Sequence, residues 1–157
     1  MEMRQKDLAI TEEQKIDDLI LRCNAIRLGF ADGAHPYVVP VSFGYERAGG
    51  EQRFYFHSAP VGRKVSLCRS LGYAGFELDL GEIVPGPMAC RFTMKYESVI
   101  GEGIITELRG ATEKSRAMQS IMAHYTGKAD WELPQQNLDK TCMFCLTVRE
   151  LTARTHG

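Results

Sequence analysis

The sequence has no apolar run approaching the ~18 residues of a membrane span, and its opening, MEMRQKDLAITEEQ, has no uninterrupted apolar stretch that would form a signal peptide. A cytoplasmic protein is expected. An excess of either charge is also missing: 19 basic against 20 acidic side chains leave −1, so no broad positive field exists to hold nucleic acid or anionic lipid. Any bound anion must be small and held locally. The five cysteines are an odd set without secretory context, which excludes a disulfide framework and reads as reduced thiols packed as small hydrophobes. Repeats, low-complexity tracts and heptads are absent. What is present, 44% apolar and 25% charged residues, is ordinary for a globular chain. One domain over residues 1–157 is expected, able to bury ~70% of the unfolded chain's surface without metal or disulfide staples.

Periodicity organises the chain. Thr11 and Gln14 have the spacing of a capping box, and Ile16, Leu19, Ile20 and Cys23 continue as a helical stripe. Ile26, Leu28 and Phe30 then alternate up to a turn at Asp32-Gly33, and YVVPVSFGY alternates again, which predicts a hairpin. Tyr37, Val39, Val41, Phe43 and Tyr45 share its bulky face; Val38, Pro40, Ser42 and Gly44 share a small one. Pro40 cannot donate to a ladder, so this strand is expected at an edge or a bulge. AGGEQ turns the chain into the strand RFYFHS, and a short helix is expected from about Arg63, carrying Val65, Cys68 and Leu71. Ala74, Phe76, Leu78 and Leu80 read as an inward strand face, EIVPGP as a loop, and Met88 to Ser98 as one side of the longest strand, continuing through VIGEGIITEL. Gly101 and Gly103 leave one face of that strand bare, as a bend or a close backbone approach requires. Ala117, Met118, Ile121, Met122 and Tyr125 stripe a helix ending at Gly127, a loop with Trp131 and Pro134 follows, and TCMFCLTVREL closes the chain as a strand. About six or seven strands and three helices, mostly hairpin-linked, predict an antiparallel α+β barrel.

Few motifs carry chemistry. Cys142 and Cys145 spell CxxC, but residues three apart on a strand face opposite ways, so they read as core and no metal site is expected. GEG at 101–103 is too short for a dinucleotide fingerprint and is followed by strand rather than helix. His124 reads as packing late in a helix, and His35 and His156 as loop residues. YFHSAPVGRK, residues 55–64, is different. A short loop entering a helix presents free N–H groups, and Arg63 and Lys64 add a fork and a point charge at the same place. Cations are unfavourable at that helix end unless an anion compensates them. Such a cradle suits a terminal phosphate, and the small face of VVPVS suits a flat conjugated ring, together the needs of a flavin mononucleotide.

PYVVPVSFGYE, FYFHSAPVGRK, GFELD, ACRFTMKYESVIGEGII, IMAHYTG and the isolated Trp131, in this order, resemble the nitroimidazole-resistance family within the pyridoxamine 5′-phosphate oxidase-like, FMN-binding split barrels. The resemblance runs from about Lys6 to Glu150 and departs at the closing LTARTHG. It implies a six-stranded antiparallel split β-barrel with flanking helices, a homodimer, and one flavin, FMN or the larger FAD, in each cleft between subunits. It implies that Val39, Pro40, Val41 and Ser42 line the flavin ring, that Ser58, Arg63 and Lys64 take the phosphate, and that His57 stands near the ring. Its place at the strand end beside the cradle, with an unperturbed pKa of about 6.5, makes His57 the expected catalytic group, a proton donor at cellular pH. Tyr96, Ser98 and Trp131 are implied as further contacts, some from the partner chain. The activity implied is a flavin-dependent reduction of nitroimidazoles fed by an external electron donor. The alternatives are a flavin- or haem-binding split barrel without such turnover, and an oxidase acting on pyridoxamine phosphate.

Overall fold

The alternating segments pair two by two as hairpins that join into one sheet, and the two helical stripes pack against it. The computed structural model describes residues 4–157. In order they form β1 (Ala9–Ile10), α1 (Glu13–Arg22), β2 (Ile26–Asp32), β3 (His35–Val41), β4 (Gly44–Ala48), β5 (Glu51–Ser58), α2 (Arg63–Leu71), β6 (Tyr73–Val84), β7 (Thr93–Leu108), α3 (Ala111–Thr126), α4 (Gln135–Asp139) and β8 (Cys142–His156). Every strand pairing is antiparallel, in the order β3-β2-β6-β7-β8-β5-β4, with β1 added against β8. The described residues thus hold eight strands rather than six, because the two-residue β1 pairs and the alternating run through Tyr45 is two strands, β3 and β4.

Those two strands are the ends of the main path, yet Ser42 and Phe43 alone separate them. A connection that short reaches only ~10 Å, so the sheet must curl until its ends nearly meet. The result is a barrel with a slit between β3 and β4. Pro36 and Pro40 have the same parity on β3, whose inner neighbour is β2. Alternate residues of a strand direct their N–H and C=O groups to opposite sides, so both prolines turn their missing donors to the slit and cost the ladder nothing. The expected edge position of Pro40 is what the chain adopts.

Phe43, Phe54, Phe56 and Phe144 are fully buried inside the barrel, and Leu19 and Ile20 of α1 join the same core. A second cluster, Tyr55, Met143 and Cys145 with Ala117 and Ile121, lies between the outer face of β5-β8 and α3. Close packing there depends on Gly44: a Cβ on it would stand 2.5 Å from Ser120 Oγ and 2.6 Å from the Ile121 nitrogen. Gly101 and Gly103 are buried on β7, where a Cβ would strike Phe76 and the backbone of Glu150 or Thr147, beside a bulge between Glu102 and Gly103. The bare face read from the sequence is a close approach, as expected.

Several local expectations shift. The capping box does not form, because the chain is still extended at Glu12, which takes the N-cap position of α1 without a side-chain cap. The first hairpin turns on Gly33-Ala34, since Asp32 pairs with His35, and only Gly33 has positive φ. Strand pairing of β7 starts at Thr93, because Ala89–Arg91 form a 3₁₀ turn after the Pro85-Gly86-Pro87 break. EIV belongs to β6, and α4 follows Pro134, which occupies its N-cap position.

Candidate functional site

β5 ends where the barrel opens, and its last residues part company. Ser58 follows Phe54 and Phe56 onto the inner face and is 7% exposed, while His57 follows Tyr55 outward, opposite Met143 of β8. The loop then reaches Gly62, whose φ of +135° and ψ of 170° belong to glycine, and α2 starts at once. Gly62 offers no side-chain oxygen to the first turn of α2, so the leading N–H groups are left for water or an anion.

Arg63 and Lys64 leave this point in different directions. Arg63 folds toward the β2-β3 hairpin, where its Nε and Nη2 stand 2.8 and 2.7 Å from Asp32 Oδ2 and its guanidinium lies 4.4 Å over the Tyr37 ring. Lys64 turns back to the strand, donating to the His57 carbonyl at 3.3 Å. The junction is therefore built from three elements: a hairpin tip, a strand end and a helix start. The compensating anion that the sequence argument demanded is partly supplied by the chain itself. Asp32 was read only as a turn residue, and Tyr37 only as part of a bulky face; no local signal in the sequence joined either to Arg63.

Desolvation, and after it the ammonium of Lys64, hold the His57 pKa below its ordinary 6.5. The ring is neutral at pH 7. Burial likewise lowers the Lys64 pKa from 10.5, with the Cys68 thiol opposing. The Cys68 thiol is itself pushed up to about 11 by burial, so it is an inert wall of α2 rather than a nucleophile.

The remaining sequence-derived candidates occupy three other places. Val39 and Val41 turn inward on β3, paired with Leu28 and Ile26; Pro40 and Ser42 are exposed, and the slit side of β3 offers Val38 N–H together with the Val38 and Pro40 carbonyls. Tyr96 lines a cavity of about 450 Å³ near the β6-β7 hairpin, with its hydroxyl bonded to Arg154 and the Arg154 guanidinium 5.0 Å from its ring centre. Ser98 lies two residues along β7, between Asp79 and Arg154. Trp131 belongs to a separate cavity against α3. Within one chain His57, Ser58, Arg63 and Lys64 share the β5-α2 junction, with Lys64 joined to His57 through its carbonyl. Cys142 and Cys145 do diverge, one toward Arg69 and the other into the cluster under α3, and no metal-ligating group of three occurs among the described residues. His124 is a packing residue, bonded through Nε2 to the Cys23 carbonyl at 2.8 Å and set against Phe43. No helix among the described residues is long and apolar enough to cross a membrane.

Comparison with known proteins bears on this geometry. No curated protein matches the sequence. Among solved structures the chain is similar to a candidate 5-nitroimidazole antibiotic resistance protein from Bacteroides thetaiotaomicron, at 27% identity and a TM-score of 0.81, over 94% of this chain and 86% of that one. It is similar to a flavocytochrome from Azotobacter vinelandii at 16% identity and a TM-score of 0.77, over 99% and 72% of the two chains. A FAD-binding protein from Mesorhizobium loti follows at 19% identity and 0.65, over 94% and 96%. At such identities the last two likenesses speak for the fold alone. The family description "pyridoxamine 5′-phosphate oxidase" matches residues 12–155, and with an antiparallel split barrel under it the chain belongs to that family.

Proposed function

We propose that this chain is a flavin-dependent oxidoreductase that holds the flavin phosphate at the start of α2 and reduces a small electrophile, a nitroimidazole being the acceptor its resemblance suggests. The observation that carries the reading is the junction of β5 and α2, where an uncapped helix start is flanked by the guanidinium of Arg63 on one side and the ammonium of Lys64 on the other, beside an exposed strand edge. The residues present fit a phosphate-bearing planar group. Both cations keep donors beyond their present partners, and Gly62, with open space around its Cα, lets a ligand approach the backbone.

A bound flavin would supply two-electron redox chemistry between an external donor and the acceptor. The chain's own residues bind and orient. The Arg63 fork and the helix N–H groups fix the anionic tail, while Lys64 supplies a second positive charge and stays tied to the strand. The slit edge of β3 presents the Val38 N–H and the carbonyls of Val38 and Pro40 to a ring edge. His57, neutral at pH 7, presents one N–H and one acceptor nitrogen beside the cradle; it hydrogen-bonds at neutral pH and becomes a proton donor only under acid conditions. That neutral state favours, as a second reading, flavin binding without nitro-group turnover. A homodimer that brings Tyr96 or Ser98 of a second copy toward the slit completes the proposal.

The visible spectrum of the purified protein, with the mass of the nucleotide released on denaturation, tests the cofactor and separates FMN from FAD. Anaerobic turnover of a 5-nitroimidazole with several electron donors then separates the two readings. A colourless protein that binds neither flavin on reconstitution refutes both.

A further inference from the structure

α3, the loop after it and α4 do not close on one another. They leave a cavity of about 370 Å³ walled by Met118 and Met122 of α3, Trp131 and Pro134 of the loop, and Leu138 of α4. That volume is at the small end of the ~300–1,000 Å³ typical of ligand pockets. Its polar lining is Glu132, Asn137 and Thr141, with no cation.

Trp131 is fixed more firmly than a loop residue needs to be. Its backbone nitrogen donates to Gln119 Oε1 at 3.0 Å, and its carbonyl accepts from Gln119 Nε2 at 2.6 Å. The indole Nε1 donates to the Lys128 carbonyl at 3.0 Å and to Thr126 Oγ1 at 3.3 Å. The Lys128 ammonium sits 4.4 Å from the ring centre and takes no part in the cavity wall, so it covers the ring face turned away from the cavity. The indole is nevertheless 38% exposed. With its N–H satisfied and one face covered, what the ring presents to the cavity is a rigid apolar plane. The same wall carries two methionines, whose thioethers adapt to and favour aromatic edges.

We infer that this cavity is a binding site for a neutral, planar aromatic molecule of one or two rings. Flatness follows from the fixed indole plane and size from the volume. Neutrality follows from a wall with one carboxylate and no cation to hold an anion, and from the Lys128 ammonium on the indole, which disfavours a cation there. The inference goes beyond the flavin reading and does not depend on it, although Thr141 of the wall precedes Cys142, the partner of Ser58, so the cavity adjoins the strand end that leads to the cradle.

Trp131 is the only tryptophan of the chain, so its emission reports this site alone. Flavin-free protein is titrated with p-nitroanisole, a neutral quenching arene, and with 4-nitrobenzoate, the same ring bearing a carboxylate. Saturable quenching by the first, at least tenfold weaker binding of the second, and shifts of the Met118 and Met122 methyl resonances alone among the methionines are expected. Asn137→Phe, at an exposed position of α4, fills the cavity and abolishes saturation while leaving the thermal melt in place. Should that variant fail to fold, the methionine shifts decide. Non-saturating quenching, equal binding of the two probes, or shifts confined to other methionines overturn the inference. So does emission that changes with protein concentration while the probe competes with self-association, since a second copy then fills the cavity.

Discussion

Replacing Arg63 by alanine separates the two things this side chain does. In the chain alone it pairs with Asp32, but the two side chains are 50% and 40% exposed, and ion pairs this wet are worth only ~0.2–1 kcal/mol. Arg63→Ala is therefore expected to move the melting temperature by no more than a few degrees. A charge-assisted contact between the guanidinium and a phosphate is worth ~1.5–3 kcal/mol, or roughly ten- to hundredfold in affinity at 1.4 kcal/mol per decade. FMN binding should fall by that factor. Riboflavin, which has the same ring and no phosphate, should bind the variant as it binds the parent. Asp32→Asn works in the opposite sense: it releases the guanidinium from its internal competitor and should tighten FMN by roughly two- to fivefold, again without effect on riboflavin. The assay is quenching of flavin fluorescence, titrated for both ligands on all three proteins. If Arg63→Ala weakens FMN and riboflavin equally, or neither, the phosphate cradle is refuted, whatever else binds.

Gly44→Ala should cost ~1–3 kcal/mol by overpacking α3 against β4, visible as a fall of roughly 2–12 °C in the thermal melt; Ser120→Ala in the same chain recovers only part, because the Ile121 backbone stands equally close. Burial pushes the Asp17 carboxyl up, but hydrogen bonds from Arg47 and from Tyr45 outweigh it and hold the pKa below 3.8. Its stabilisation is thus present above that pH and lost as pH falls through the lowered value; Asp17→Asn should flatten this limb of the acid denaturation curve and leave Arg47 short of a partner, at ~1–3 kcal/mol at neutral pH. The depressed His57 pKa works in the same direction: its contribution to stability is complete above pH 6.5 and disappears as pH falls through the lower folded value, a loss that His57→Gln should remove. If His57 also donates a proton during nitro reduction, the rate rises below pH 6.5 in the parent and not in that variant.

Period-2 and period-3.6 patterns exposed most of the architecture because one buried face per element leaves a regular trace in the chain: Ala74, Phe76 and Leu78 are buried on β6 as read, and Gly127 ends α3 with a φ of +74°. The pattern failed where burial stopped. Met88 and Phe92 remain exposed, so their alternation with Cys90 recorded no sheet face, and α4 is too short to set up a period of its own. At the site, the positions of Arg63, Lys64 and His57 were legible from a strand end, a glycine and two cations. Asp32 and Tyr37 were not, because the contact between a hairpin tip and a helix 31 residues later is a product of barrel closure and leaves no local mark. The lowered pKa of His57 was equally hidden, since it depends first on how far the fold buries the ring and then on how closely the Lys64 side chain doubles back.

The two prolines of β3 have a further consequence for crowded conditions. A stray extended segment that tried to dock along that border would meet a single amide hydrogen, on Val38, across the span from Pro36 to Pro40. Zipping of foreign polypeptide there is discouraged, and the gap stays accessible to small guests without becoming a seed for fibrils.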